Sequence, residues 1–293
     1  MTTNSALVVI AAITALAAVT CSRGQTAPVA STDLRRVVSV TPATTEAMFA
    51  LDAGDRVIGR SRFCDWPPQA ANLPTVGGFV DVDLEAILQL RPDLVVGSSG
   101  PASTRLADKL GARGIATWFP SLDSFASIDT MLLGLGDRTG HGADARQIVA
   151  QIDARALAVE RAVSAEPPQR VLMVLDVTPA VAVGPKSFAD EMIRRARGVN
   201  VLADGGPWQT LGIERIIELD PDVVVDASVE PGATSGITPQ APGWRDVRAV
   251  RHGRVVTMTD PRVLRPGPRV AEGLALLAHE LHPAVSLPTL PAP

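Results

Sequence analysis

Apolar residues along this chain fall into runs of different lengths, and each length predicts a different element. Residues 6–19 are almost continuously apolar. That run falls short of the roughly 20 residues a membrane-crossing helix needs and suits the core of a secretory signal peptide. Shorter runs rich in Val, Ile and Ala at residues 37–40, 56–59 and 115–118, and again at 171–175, 180–183 and 255–258, predict strands. Segments 44–51, 103–112 and 186–196 instead carry apolar residues at helical spacing. Strands alternating with helices across short connections predict an α/β fold.

One segment occurs twice. Glu85, Ile87, Leu90, Pro92, Asp93, Val95 and Val96 recur as Glu214, Ile216, Leu219, Pro221, Asp222, Val224 and Val225, at a constant offset of 129 residues. That offset is domain-sized, well beyond the period of about 20–50 residues that marks a solenoid. Each copy predicts a short helix with Leu and Ile on one face. The helix stops at Pro-Asp, because proline disfavours helical backbone in the residue before it. A Val-rich strand buried on both faces follows, as in a parallel sheet. The chain therefore reads as two duplicated three-layer α/β lobes.

Residues 143–165 join the lobes. They contain no Pro or Gly, are rich in Ala, Arg, Gln and Glu, and keep apolar residues at helical spacing until Pro167 and Pro168. One long, stiff helix is expected there. The organisation is then a signal segment at 1–21, a flexible spacer at 22–35, an N-terminal lobe at 36–142, the connecting helix at 143–166, a C-terminal lobe at 167–284 and a frayed tail at 285–293.

Composition narrows the chemistry. The net charge is −4 and no cluster of Lys and Arg occurs, which argues against a nucleic-acid partner. Tyr is absent, so no phenolate can hold iron or haem. His141, His252, His279 and His282 are scattered; the last two share a helix face but lack a Cys or carboxylate at metal-site spacing. No metal site is expected. Dinucleotide, phosphate-loop and nucleophile-elbow motifs are missing too. The chain reads as a binding protein with no catalytic residues and no cofactor.

Cys21 directly follows the apolar run. Ala18, Val19, Thr20 and Cys21 resemble a bacterial lipobox, in which cleavage leaves the cysteine as a lipidated N-terminus, although Leu at the first position and Ala or Gly before the cysteine are replaced. Lipidation would leave Cys64 as the remaining thiol. A signal that is simply cleaved, or a Cys21–Cys64 bridge, are the alternatives.

Phe63, Trp66, Phe79 and Trp208 stand in Pro- and Gly-rich loops, not on helical faces. Flat apolar walls on facing loops suit a large planar ligand, so these four are candidate ligand contacts. Trp66, before Pro67 and Pro68, could equally pack its own loop. Trp118 and Trp244 read as core. Arg262, Arg265 and Arg269 crowd one segment; Arg262 and Arg265 are candidates to anchor polar groups of a ligand, or else pair with Asp260.

Taken in order, residues 39–46, 56–70, both repeat copies, 198–203, 243–250 and 265–274 resemble the solute-binding proteins with a single connecting helix that serve cobalamin, haem and ferric-siderophore importers. Residues 64–70, 77–80 and 206–209 are most similar to the vitamin B12-binding members, with Phe79 where those often have Trp. The resemblance implies two lobes joined by a rigid helix, with the ligand cleft between them. It implies capture of cobalamin or a related corrinoid and delivery to the permease of an ABC importer. Ferric siderophore or haem is the alternative cargo, and a sensory or adhesive lipoprotein a further alternative. The protein would be an exported monomer, periplasmic or on the outer face of the cytoplasmic membrane, held there only by its N-terminal lipid. Glu85 and Glu214, at equivalent repeat positions, would each pair with Arg on one of the two membrane subunits. Without that role, each acid would simply complement the dipole of its own helix.

Overall fold

Short parallel strands make the sheet of the N-terminal lobe. The computed structural model describes residues 34–230 and 232–289. The first lobe runs β1 (Val37–Ser39), α1 (Pro42–Ala50), β2 (Val57–Arg60), α2 (Leu84–Leu90), β3 (Leu94–Val96), α3 (Pro101–Gly111), β4 (Ala116–Trp118) and α4 (Phe125–Thr139). Its strand order is β2-β1-β3-β4. The 22-residue α5 (Gly142–Val163) leads out of it. The second lobe runs β5 (Gln169–Val177), β6 (Ala180–Val183), α6 (Phe188–Arg195), β7 (Gly198–Asn200), β8 (Trp208–Leu211), α7 (Ile213–Leu219), β9 (Val223–Asp226), α8 (Arg248–Arg251), β10 (Val255–Thr257) and α9 (Val270–Leu281).

The duplication extends to topology. Strands β7, β5, β9 and β10 pair in parallel in the order of β2, β1, β3 and β4. The second lobe then adds two antiparallel strands, β6 along the remaining length of β5 and β8 along the far side of β6.

Side chains alternate across each strand, and the two faces pack differently. Val37, Leu94 and Val96 of the first lobe share one continuous core with Val171, Met173, Val223 and Val225 of the second. Their neighbours Val38 and Val95, and Leu172, Val174 and Val224, face a separate cluster in each lobe. Ile152, Ala156, Val159 and Val163 of α5 are buried in the shared core. Prising the lobes apart along this helix would expose apolar surface at about 25 cal/mol per Å². The connecting helix is therefore a spine welded to both halves.

The Pro-Asp stop is a matched device in the two lobes. Helices α2 and α7 each end on a left-handed residue, Arg91 at φ 47° and Asp220 at φ 44°. Arg36 donates from Nε and Nη2 to the carbonyls of Arg91 and Leu90, at 3.0 and 2.6 Å, and its amide donates to Asp93 Oδ2 at 3.0 Å. Arg170 does the same to Asp220, Leu219 and Asp222, at 3.3, 2.6 and 2.9 Å. The carbonyls left over at a helix C-terminus thereby find donors.

Some expectations change. The segments expected above leave out α4, β7 and β8, and Trp208 opens β8 instead of sitting in a loop. The connecting helix ends at Val163, short of 166. Val285 and Leu287, in the stretch expected to fray, pack against the shared core. The signal segment, Cys21, the spacer up to residue 33 and residues 290–293 lie outside the described residues. Among the described residues no helix is long and apolar enough to cross a membrane.

Candidate ligand-binding cleft

The carboxyl ends of β1, β3 and β4 open in one direction, and the segments that follow them form one wall of a cleft between the lobes. Thr41 and Pro42 come from the first, Ser98 and Ser99 from the second, and Ser121 to Asp123 from the third. This end of a parallel sheet is where such folds bind ligands. The opposing wall is the start of α6 (Lys186, Ser187, Phe188), the entry to β8 (Pro207, Trp208) and the segment after β10 (Leu264, Arg265). The open space between these walls is about 720 Å³, inside the roughly 300–1,000 Å³ of small-molecule pockets.

Two glycines place its aromatic side chains. Gly77, at φ 89°, begins the tight loop that carries Phe79, and a Cβ there would collide with the Asp81 carbonyl. Gly77 and Val82 bridge across the loop's base, and Arg62 pairs with Asp81. At the other wall the Gly184 amide donates to the Pro207 carbonyl at 2.8 Å, an approach that any Cβ at 184 would block against the Gly206 oxygen. Phe79 and Trp208 remain 36 % and 55 % exposed, so both have apolar area left to bury against a ligand.

The charges at the cleft nearly cancel. Arg265 Nη1 donates to Glu46 Oε1 at 2.7 Å and to Asp65 Oδ1 at 2.9 Å. Burial works against the Arg265 charge, but the hydrogen bonds to Glu46 and Asp65 outweigh it and hold the guanidinium above its ordinary range. That leaves Asp123 on one lobe and Lys186 on the other, with no side-chain partner among the described residues. The remaining polar lining is hydroxyl, from Thr41 and four serines. Neither His, Cys nor Met lines the cleft, and Cys64 is buried, 3.2 Å from Ser61 Oγ. Such a site can clasp a large, flat molecule of little net charge through apolar contact and hydroxyl hydrogen bonds. It offers none of the side chains that hold haem iron.

The structure brings Phe79, Trp208 and Arg265 together here and separates them from the other predicted contacts. Arg262 is turned away. Its Nε and Nη2 donate to Asp260 at 2.9 and 2.6 Å and its Nη1 to Glu272 at 2.9 Å. These bonds, the one to Asp260 foremost, raise the Arg262 pKa and pull that of Asp260 down. Arg262 borders a second cavity together with Trp66, whose ring lies 4.5 Å below the Arg269 guanidinium. Phe63 borders neither cavity and stands exposed beside Arg62. Glu85 and Glu214 lie exposed in the first turns of α2 and α7, without a side-chain partner among the described residues.

Sequence reasoning missed Asp123, Lys186 and the cleft serines. Ser98 and Ser99 carried a usable signal, since they follow the strand of the first repeat at its carboxyl end. Among the described residues no group of His, Cys, Asp and Glu could hold a metal ion.

A family model described as periplasmic binding protein matches residues 37–261. The chain is 27% identical over 256 residues to YvrC of Bacillus subtilis, an ABC transporter substrate-binding lipoprotein, covering 85% of this chain and 80% of that one. It is 24% identical over 249 residues to a vitamin B12-binding protein of Photorhabdus laumondii, covering 84% and 88%. It superposes with a TM-score of 0.75 on the periplasmic haem-binding protein RhuT of Roseiflexus in its apo form, at 28% identity and covering 86% and 99%.

Proposed function

Because the chain belongs to the periplasmic binding protein family, we propose that it is the solute-binding component of an ABC importer and captures a corrinoid, cobalamin or a close relative, between its lobes. The lining of the cleft carries this reading. Phe79 and Trp208 offer flat apolar surface from opposite lobes, hydroxyls supply hydrogen bonds for a ring fringed with amides, and the charges of Asp123 and Lys186 offset each other. A corrin brings its own ligands to cobalt and asks the protein for none. The similarity to a vitamin B12-binding protein supports the same cargo.

Haem is the second reading, favoured by the 28% identity to RhuT. Against it stand the absence of His, Cys and Met from the lining, the absence of Tyr from the chain, and the lack of surplus positive charge for two propionates.

The protein performs no chemistry on its cargo. The spine α5 limits how far the lobes can close, so release falls to the permease, which must bind the opened form better than the closed one. Glu85 and Glu214 would meet that permease, one from each lobe. Export and a lipid on Cys21 would keep the protein at the membrane's outer face, as the similarity to a lipoprotein supports.

The test is calorimetry on residues 22–293 with cyanocobalamin and, separately, haemin, with tryptophan fluorescence followed in parallel. Saturable 1:1 binding of cyanocobalamin, abolished by Phe79→Ala with Trp208→Ala, is expected. A folded protein that gives neither heat nor quenching with cyanocobalamin removes the corrinoid, and haemin binding in its place selects the second reading.

A further inference from the structure

The cavity bordered by Trp66 and Arg262 is separate from the cleft. The ion cluster of Glu46 divides the two, since Arg265 lines the cleft while Glu46 and Arg269 line the second space. That space is about 550 Å³. Its walls are largely apolar: Phe49 and Ala50 from α1, Ile148 and Ile152 from α5, and Trp66 from its loop. Residues 148, 152 and 155 follow one another on a single face of α5, so Arg155 stands in line with the two isoleucines.

Two polar groups in this lining have no protein partner among the described residues. Glu272 Oε1 is buried with no hydrogen-bond partner, while its Oε2 accepts from Arg262 at 2.9 Å. Arg155 has no hydrogen bond or ion pair among the described residues. The other charges cancel, Arg262 and Arg269 against Glu46 and Glu272, so Arg155 supplies the one net positive charge of the lining. A buried acceptor without a donor is costly, and the half-buried Arg155 leaves an unpaired positive charge at the edge of the apolar walls, where an anion would meet both.

We propose that this cavity is a second ligand site, for a small monoanion with a flat apolar body and one N–H or O–H donor. The anion pairs with Arg155, the donor serves Glu272 Oε1, and the flat body packs against Trp66, Phe49 and Ile152. The site is independent of whatever the cleft carries.

Indole-3-acetate has all three features and serves as the probe. Titrated into the intact exported protein, it is expected to bind saturably at 1:1, with the neutral indole-3-acetamide at least tenfold weaker. Arg155→Gln should weaken indole-3-acetate at least tenfold and erase the difference between the two probes. Ala50→Trp, which fills the space from an exposed position on α1, should block both. Thermal melts of each variant confirm that it is folded. No saturable binding of indole-3-acetate up to millimolar concentration overturns the proposal. So does binding that survives Arg155→Gln unchanged, or binding lost in the Phe79→Ala/Trp208→Ala protein, which would place the probe in the cleft.

Discussion

Arg269 holds both carboxylate oxygens of Glu46, Nε to Oε2 at 2.9 Å and Nη2 to Oε1 at 2.7 Å, although 223 residues separate them. Glu46 lies on α1 of the first lobe and Arg269 caps α9 of the second, so the pair clamps the lobes. Arg265 adds a third bond to the same carboxylate. The side chains of Glu46, Arg265 and Arg269 are only 3 %, 15 % and 14 % exposed. Glu46→Ala would leave two guanidiniums withdrawn from water without their shared anion. A loss of about 3–5 kcal/mol is expected, read from urea unfolding. Arg265→Ala should cost less, because Arg269 still covers Glu46. A loss below about 1 kcal/mol for Glu46→Ala would mean that solvent screens the cluster.

A second contact between the lobes is sensitive to pH. Asp129 of α4 lies near Asp153 of α5 and near Glu191 and Arg195 of α6, with its Oδ1 buried and unpartnered. Burial first, then the charge of Asp153, raise its pKa to about 6, with Glu191 adding to this and Arg195 opposing it. Between the ordinary carboxylate range and about 6, the folded chain holds a proton that the unfolded chain has released. Stability from this group therefore falls as pH rises through that window, and the penalty is complete above it. Asp129→Asn should stabilise the protein at pH 7.5 by about 1 kcal/mol, allowing for solvent screening of a partly exposed group. Its urea midpoint should converge on that of the unaltered protein near pH 4. Parallel curves across the whole range would exclude Asp129 as the source.

Trp208 and Gly184 separate binding from folding. Trp208 is more than half exposed, so Trp208→Ala should move the urea midpoint by no more than about 0.5 kcal/mol while weakening cyanocobalamin at least tenfold. Gly184→Ala leaves the indole intact but forces the Gly206 carbonyl away. It should weaken binding comparably and also cost about 1–3 kcal/mol of stability. Equal binding by both variants and the unaltered protein would remove Trp208 from the ligand.

Glu85 and Glu214 make no side-chain contact that folding needs. Glu85→Lys and Glu214→Lys should therefore retain the melting temperature and ligand affinity. Stimulation of ATP hydrolysis in the reconstituted importer is expected to fall at least tenfold with either one. Stimulation unaffected by both changes would move the docking surface elsewhere.

The duplication was legible because it rests on local rules: apolar residues on one helix face, a Pro-Asp stop and a buried Val run. What stayed hidden depends on tertiary neighbours. β8 reads Trp-Gln-Thr-Leu and sits at a sheet edge with its residues exposed or half-buried in turn, so no apolar run announces it. The apolar residues of α4, Phe125, Ile128, Met131, Leu132 and Leu135, do follow a helical face, and that pattern was available. Trp66 and Trp208 look alike in sequence, each an aromatic beside proline, yet they border different cavities. Arg262 and Arg265 lie three residues apart and part company the same way, one toward Glu272 and the other toward Glu46. Glu46 itself carried no signal, because its partners lie in the other lobe.

The paired latches of Arg36 with Asp93 and Arg170 with Asp222 test whether the lobes fold as one. Each ties the entry of a lobe's first strand to the end of its repeat helix. Asp93→Ala removes the acceptor of the Arg35 and Arg36 amides, at 3.2 and 3.0 Å. Asp222→Ala removes that of the Arg170 amide at 2.9 Å and one of the two carboxylates that hold Arg248, at 2.7 Å, leaving Asp220 as its partner at 2.8 Å. About 1–2 kcal/mol is expected for Asp93→Ala, since a charged acceptor on backbone amides outweighs a neutral one. Asp222→Ala should cost slightly more. The two latches share no partner, so the double variant should lose the sum to within about 0.5 kcal/mol. Calorimetry adds the decisive reading. A core continuous through α5 requires one transition in every variant, because neither lobe can melt without exposing residues of the other. If Asp93→Ala instead splits the melt into two steps, with only the first displaced, the spine does not weld the lobes and the hinge is looser than the shared core implies.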